Sequence, residues 1–167
     1  MRAFKINDLE DLYEITSDHE VTEFLTWETH KNIEQTKESI EKRFIPNVNM
    51  FAIELLNEKK CIGCIDFRVD SEHDKAGFGY MLNRKYWNNG YMTETLELTI
   101  KVLFEKYKVN RIESTYYVGN EASGVVMKKC GMNYEGTSPQ QLKIKGKYVD
   151  VVQYGILARD YFKELND

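Results

Sequence analysis

Two prolines, three cysteines and three histidines are all that 167 residues hold of those types. With only Pro46 and Pro139 to punctuate it, and no repeat, low-complexity tract or Pro/Gly-rich linker, the chain is expected to form one domain over residues 1–167. Three cysteines cannot all pair with one another. A structural zinc site wants four ligands in paired spacings, which Cys61, Cys64 and Cys130 with His19, His30 and His73 do not supply, so no metal is expected. The Cys61-x-x-Cys64 pair lies in the strand-like run CIGCIDFRV, where residues three apart face opposite ways, whereas a redox pair normally opens a helix. Buried thiols in a reducing compartment are the expectation. No apolar run approaches a membrane span, and the opening MRAFKINDLEDLYEI lacks the basic-then-apolar order of a signal peptide. These absences predict a cytoplasmic protein that does not contact the membrane. The 23 basic residues are scattered among 27 acidic ones, so no nucleic-acid footprint is evident; the net charge of −4 suits a cationic partner.

What is present reads as alternating elements. Arg2 to Ile6 is a short strand, and Asn7 with Glu10 three residues on has the form of a capping box opening a helix with Leu9, Leu12, Tyr13 and Thr16 on its stripe. Asn32 and Gln35 repeat that signal ahead of Ile33, Thr36, Ile40 and Phe44, with Pro46 as the stop. Two helices therefore precede MFAIELL (50–56), CIGCIDFRV (61–69) and AGFGYML (76–82), three strands at hairpin spacing. From Met92 the period changes: Leu96, Ile100, Leu103, Phe104 and Tyr107 mark one face of a helix to about Lys108. A strand at 111–118, a helix from about Asn120 to Cys130 ended by Gly131, and strands around 134–144 and 148–157 flanking Lys145-Gly146-Lys147 complete the order. Strand, helix, strand in succession marks a parallel crossover in an otherwise antiparallel sheet. The predicted class is α+β, or mixed α/β: one mixed, mostly antiparallel sheet of six or seven strands with helices on both faces.

The stretch KYWNNGYMTE (85–94) joins the third of those strands to the longest helix. Asn-Asn-Gly alone reads as a surface turn, but a turn that opens a helix presents backbone N–H groups with no partner inside it, at the positive end of its dipole. Gly90 allows close approach of a ligand, Asn88 or Asn89 tolerates left-handed angles, and Arg84 and Lys85 can add positive charge. That is the chemistry of a phosphate cradle. Neither a Walker-type G-K-[ST] nor a G-x-G-x-x-G occurs there.

The segment GYMLNRKYWNNGYMTETLELTIKVLFEKYKVNRIESTYYVGNEASGVVMKKCGMNYEG resembles the acyl-coenzyme A core of the GNAT superfamily of N-acetyltransferases, in the subgroup that includes ribosomal-protein N-terminal-alanine acetyltransferases. The likeness runs from Arg2 to the final GKYVDVVQYGIL. The family pattern [QR]-x-x-G-x-[GA] falls on Lys85 to Gly90, with Lys85 in place of Gln or Arg and Asn88 in place of the first Gly. The resemblance implies acetyl-CoA as co-substrate and a primary amine as acceptor: a protein N-terminus, or a small amine such as a drug, polyamine or amino acid, with a CoA-binding module lacking catalysis as a further alternative. It implies a monomer or homodimer. It further implies that Met81, Leu82 and Asn83 line the pantetheine arm, one of them offering an N–H to the thioester oxygen. Asn88, Asn89, Gly90, Tyr91, Met92 and Thr93, with Lys85, would hold the pyrophosphate. Asn120 would touch the cofactor and Ser123 lie near its sulfur as proton donor, although the same residues also suit a plain helix cap and first turn.

The chemistry weighs on the acceptor. At pH 7 an α-amine is roughly a tenth neutral and a lysine-type amine about four parts in ten thousand, a difference of about 3 kcal/mol. A weak base therefore favours an α-amine. No obvious base is visible: Gly77 stands where many relatives carry Glu, Gln141 or Leu142 near a second carboxylate position, and Met127 where other branches place a tyrosine. Glu28, Glu113 and Asp66 are candidate bases or anchors, and base catalysis through water is open. Trp27 and Glu28, in FLTWETH, are expected to shape the acceptor pocket, with a core role for Trp27 as the alternative.

Overall fold

The computed structural model describes residues 1–164. Seven strands form one sheet: β1 (Arg2–Ala3), β2 (Met50–Leu55), β3 (Lys60–Asp70), β4 (Lys75–Leu82), β5 (Arg111–Tyr117), β6 (Asn133–Ile144) and β7 (Lys147–Leu157), in the order β1-β2-β3-β4-β5-β7-β6. Six helices accompany them: α1 (Leu9–Thr16), α2 (His19–Thr22), α3 (Ile33–Ser39), α4 (Tyr91–Glu105), α5 (Glu121–Lys129) and α6 (Ala158–Glu164). The β4–β5 pair is parallel across α4, while β1–β2, β2–β3, β5–β7 and β6–β7 are antiparallel. This is the mixed, mostly antiparallel sheet that the periodicity predicts.

The contacts divide the chain into two compact units, residues 1–67 with 79–91, and, among the described residues, 68–78 with 92–164. In the first, Phe4, Leu12, Ile15, Ile40, Phe44 and Ala52 form the core with Cys61, Cys64 and Met81. The Asn32 cap forms as expected, its side chain accepting from the Gln35 N–H, while Gln35 reaches back to the Lys31 N–H. The helix it opens ends in a π-helical turn, Ile40–Phe44, just before Pro46. Two sequence expectations give way here. Asn7 caps nothing: Asp8, 4% exposed, takes the Lys5 N–H and a bidentate pair from Arg2 at 2.7 and 2.8 Å. A 3-10 turn therefore begins at Ile6, and β1 stops at Ala3. Three helices, not two, precede the strands, because Asp18 caps the short α2. Cys61 and Cys64 do not face opposite ways either. The register passes from Ile53↔Gly63 to Glu54↔Cys61, so β3 carries one extra residue, and this bulge brings both thiols into the same core. Burial pushes the Cys61 thiol up to about 12, which leaves it protonated and unreactive.

In the second unit Leu96, Ile100, Leu103 and Phe104 of α4 are buried, as are Ala76, Phe78 and Ile112 of β4 and β5. Gly131, at φ 79°, ends α5 as expected: its N–H bonds to the Lys128 carbonyl and the Met132 N–H to that of Met127, the paired bonds of a Schellman motif. Lys145 and Gly146 make the two-residue turn between β6 and β7.

Burial alone would raise the Asp8 carboxyl, but the hydrogen bonds from Arg2 and Lys5 outweigh it and hold the group below its ordinary range. The stability this supplies is complete above about pH 4 and disappears as pH falls through the lowered value. Asp8→Asn should cost about 2 kcal/mol in urea unfolding at pH 7, and that difference from wild type should shrink on acidification below pH ~4.

Candidate active site

The first unit supplies the end of β4 and the turn after it. Met81, Leu82 and Asn83 are all buried, the Met81 side chain within the core. The Asn83 N–H donates to the Ile62 carbonyl at 2.8 Å, so it is directed at β3. Because N–H groups alternate in direction along a strand, that of Leu82 is turned away from β3. The Asn83 side chain accepts from the Lys85 N–H and donates to Glu14, which opens a 3-10 turn over Arg84–Tyr86. From there the Trp87 indole N–H donates back to the Leu82 carbonyl at 2.8 Å, tying the turn to the strand it leaves. Asn88 then sits at φ 60° and Gly90 at φ 84°, both left-handed, with the Asn89 side-chain amide bonded to the Trp87 carbonyl. Tyr91 begins the fifteen residues of α4.

A Cβ placed on Gly90 would meet nothing within 4 Å, so open space adjoins the turn and its backbone angle, not crowding, is what demands glycine. A left-handed turn with free space beside it and a long helix behind it fits an anionic group at the N–H groups of residues 88–93. The charge expected from Arg84 is not available there. Its guanidinium is held by Asp18 and Glu20 at 2.8 and 2.7 Å, while Lys85, largely exposed, lies 3.6 Å from Glu14. Trp27 is half-buried against the core with its ring tilted 41° to that of His30, 5.0 Å between ring centroids; Glu28 is exposed. His30 anchors that loop through Thr36, which also bonds Thr16, and burial lowers its pKa and keeps the ring neutral.

The second unit places Met92 and Thr93 in the first turn of α4, where the Thr93 carbonyl accepts from the Cys130 thiol. Asn120 precedes α5 but its side chain makes no capping bond; the Glu121 carboxylate instead takes the Gly119 N–H. Asn120 thus holds the N-cap position through its backbone, its carbonyl accepting from the Ser123 N–H, and not through its side chain. Ser123 is partly buried in the first turn, and Met127 lies in the core. The β4–β5 ladder runs from Lys75 to Gly77, after which the Phe78 carbonyl accepts from the Ser114 hydroxyl.

On this unit Gly77, Glu113 and Gln141, three positions singled out for an acceptor-side carboxylate, line one cavity of about 480 Å³. Glu113 is opposite Gly77 on β4 and Gly155 on β7, so neither cross-strand neighbour covers its carboxylate. Arg111 donates to Glu113 at 2.9 Å and makes a bidentate pair with Glu135, and Lys75 donates to Glu113 at 3.0 Å. Hydrogen bonds from Arg111 and then Lys75 outweigh burial and hold Glu113 below the usual carboxylate range, a poor position for a general base. Sequence reasoning missed Lys75, Arg111, Glu135 and the tie made by Trp87. Asp66, the other candidate, is in the first unit beside Gly79.

The sequence profile of the acetyltransferase (GNAT) domain family matches residues 1–133. A GNAT-family acetyltransferase from Bacillus anthracis has the same fold, with a TM-score of 0.86 and 29% identity over 95% of this chain and 93% of that one. The ribosomal protein uS5-alanine N-acetyltransferase of Escherichia coli (strain K12) is 27% identical over 63% of this chain and 55% of its own length. Spermidine N-acetyltransferase from Vibrio cholerae, solved with CoA and spermine, shares the fold at a TM-score of 0.79, with 20% identity over 96% of both chains. The sheet and these matches define an acyl-CoA-dependent transferase. The chain belongs to the GNAT acetyltransferase family and is an acetyl-CoA-dependent N-acetyltransferase. Among the described residues no helix is long and apolar enough to cross a membrane.

If the turn holds the co-substrate, acetyl-CoA should raise the melting temperature of the wild type and leave that of Gly90→Trp unmoved. Equal stabilisation of both proteins contradicts the cradle. Gly90→Ala should itself cost about 1–2 kcal/mol in stability from the left-handed angle.

Proposed function

We propose that this enzyme acetylates a protein N-terminal α-amine by direct attack on the thioester. The observation that carries the reading is the state of the carboxylate nearest the usual base position. Gly77 brings none, and Glu113 opposite it is bound by Arg111 and Lys75. A site with so weak a base turns over best an amine that is already partly neutral, and an α-amine meets that condition. The partial similarity to the uS5-alanine enzyme supports the same acceptor.

Acetyl-CoA supplies an activated acetyl group on a thiol that leaves readily. The backbone of Asn88 to Thr93 would hold its pyrophosphate, with Lys85 beside it, and Met81 to Asn83 its pantetheine arm. Since the Asn83 N–H is bonded to Ile62, the N–H of Leu82 is the donor assigned to the carbonyl oxygen, where it would stabilise developing negative charge. Asn120, whose side chain makes no capping bond, is assigned to the cofactor. Ser123 is assigned the proton for the leaving sulfur, a modest role because a thiolate is stable without one. Trp27 and Glu28 would border the acceptor.

Two measurements test this. With a peptide acceptor, kcat/KM should rise with pH along the acceptor's own ionisation near ~8 and show no inflexion from a carboxylate between pH 5.5 and 7. Such an inflexion would assign a base to the protein. Ser123→Ala should lower kcat only a few-fold with acetyl-CoA affinity unchanged; a loss confined to affinity reassigns it to binding. Mass spectrometry against peptides and small amines separates the acceptor classes, and turnover of small amines without peptides sinks the N-terminal reading.

A further inference from the structure

The three side chains of the 3-10 turn that leads into Asn88 all end on carboxylates of other elements in the first unit. Lys85 lies 3.6 Å from Glu14 and the Tyr86 hydroxyl donates to Glu58 at 3.2 Å, each a single long contact. Arg84 is held differently, its Nε donating to Asp18 at 2.8 Å and a terminal nitrogen to Glu20 at 2.7 Å. Asp18 has only 21% of its side chain exposed, and its two oxygens are divided between two tasks. Oδ1 accepts the Glu20 N–H and so opens α2, while Oδ2 takes Arg84. The backbone of Arg84 faces the other way along the chain: its carbonyl accepts the Trp87 N–H at 3.1 Å, and the Trp87 indole in turn bonds the Leu82 carbonyl. One residue thus touches α2 through its side chain and the start of the left-handed turn through its backbone.

Resting on the reading that the N–H groups of Asn88 to Thr93 hold the pyrophosphate, we propose that Arg84 is a positioning residue for the co-substrate: clamped by Asp18 and Glu20, it holds the turn in its binding shape before the ligand arrives and lends no charge to the phosphates. A segment with two left-handed residues and N–H groups turned to open space is ordered by what fixes its ends. The far end is fixed by α4, and the near end by the 3-10 turn that Arg84 fastens to α2. Every residue that a ligand has to order weakens its binding, so a turn already fixed binds more tightly with no added contact. A single exposed ion pair would supply little, but two carboxylates on two donors of one planar guanidinium fix a direction as well as a distance. The effect therefore falls on ligand affinity more than on melting temperature. The opposite role, a cation kept for phosphate, carries the opposite sign: neutralising Asp18 would free Arg84 for the anion and strengthen binding.

Asp18→Asn separates the two tasks of that carboxylate, because asparagine caps a helix as well as aspartate does but offers Arg84 no charged acceptor. Arg84→Gln breaks the same clamp without touching the α2 cap, so its effect stands apart from any change in that helix. Calorimetric titration of the full chain with CoA should show Kd raised on the order of threefold to tenfold in each variant. In the double variant Kd should rise no further than in Arg84→Gln, since both changes remove one contact. KM for acetyl-CoA should follow Kd with kcat within about twofold of wild type, and the melting temperature without ligand should stay within about 3 °C. If Asp18→Asn binds CoA as tightly as wild type or more tightly while Arg84→Gln binds it weakly, Arg84 contacts the phosphates directly and the clamp is overturned. Losses that add in the double variant, or unchanged affinity in all three, overturn it as well. Gly90→Trp distinguishes this failure from that of the reading beneath it. CoA bound by Gly90→Trp as by wild type removes the cradle and the clamp together; CoA lost by Gly90→Trp but kept by Asp18→Asn and Arg84→Gln removes the clamp alone.

Discussion

Four residues, Trp87 to Gly90, convert the chain from the end of β4 and its 3-10 turn into the fifteen residues of α4, and two of them must be left-handed to do it. Asn88 is one of the few side-chain residues that accept such angles, and Gly90 takes the second. The Trp87 indole, bonded to the Leu82 carbonyl, fixes where that reversal begins. A separate bond, from the Asn83 N–H to the Ile62 carbonyl, directs that amide at β3 and leaves the Leu82 N–H turned the other way. Helix start and strand end thus follow from one local constraint. The substitution of Asn88 for the glycine of the family pattern costs the backbone little for this reason.

The chemistry of the second unit is governed by a different constraint, the pairing of charge across strands. A carboxylate with glycine on both sides would be solvated and able to take a proton, but Arg111 and Lys75 bind Glu113 and keep it ionised. Under the proposed reading, deprotonation of the acceptor is left to the acceptor's own equilibrium. The absence of glutamate at Gly77 and of tyrosine at Met127 is then compatible with catalysis on an amine of modest basicity.

How much of this could be read from the sequence depends on the range of the interactions involved. The apolar stripe of α4 from Leu96 to Phe104, the Asn32 cap, the end of α5 at Gly131 and the parallel crossover are local signals, and each appears where periodicity or a cap residue places it, although α4 stops at Glu105 and leaves Tyr107 exposed beyond it. Asp8 escaped because its role depends on Arg2, whose guanidinium makes a buried carboxylate affordable and shifts the cap from Asn7. Alternation alone places the two thiols of β3 on opposite faces; a one-residue bulge, invisible to alternation, reverses the parity between them. The family pattern located the turn residues and Gly77, yet the Lys75 to Glu135 row is assembled by register among β4, β5 and β6, and no spacing along the chain announces it. The one sequence hint was Arg111-x-Glu113 with glycine at 77 and 155, meaningful only once those residues are known to be neighbours.

The central claim is that the backbone from Asn88 to Thr93 receives the co-substrate's pyrophosphate. Amide hydrogen exchange, measured residue by residue with and without CoA, reads those N–H groups directly. The account predicts that CoA slows exchange at Asn89 to Thr93, with a smaller effect at Leu82 and none in α6. Exchange at the turn that is unaltered while protection appears elsewhere would contradict it.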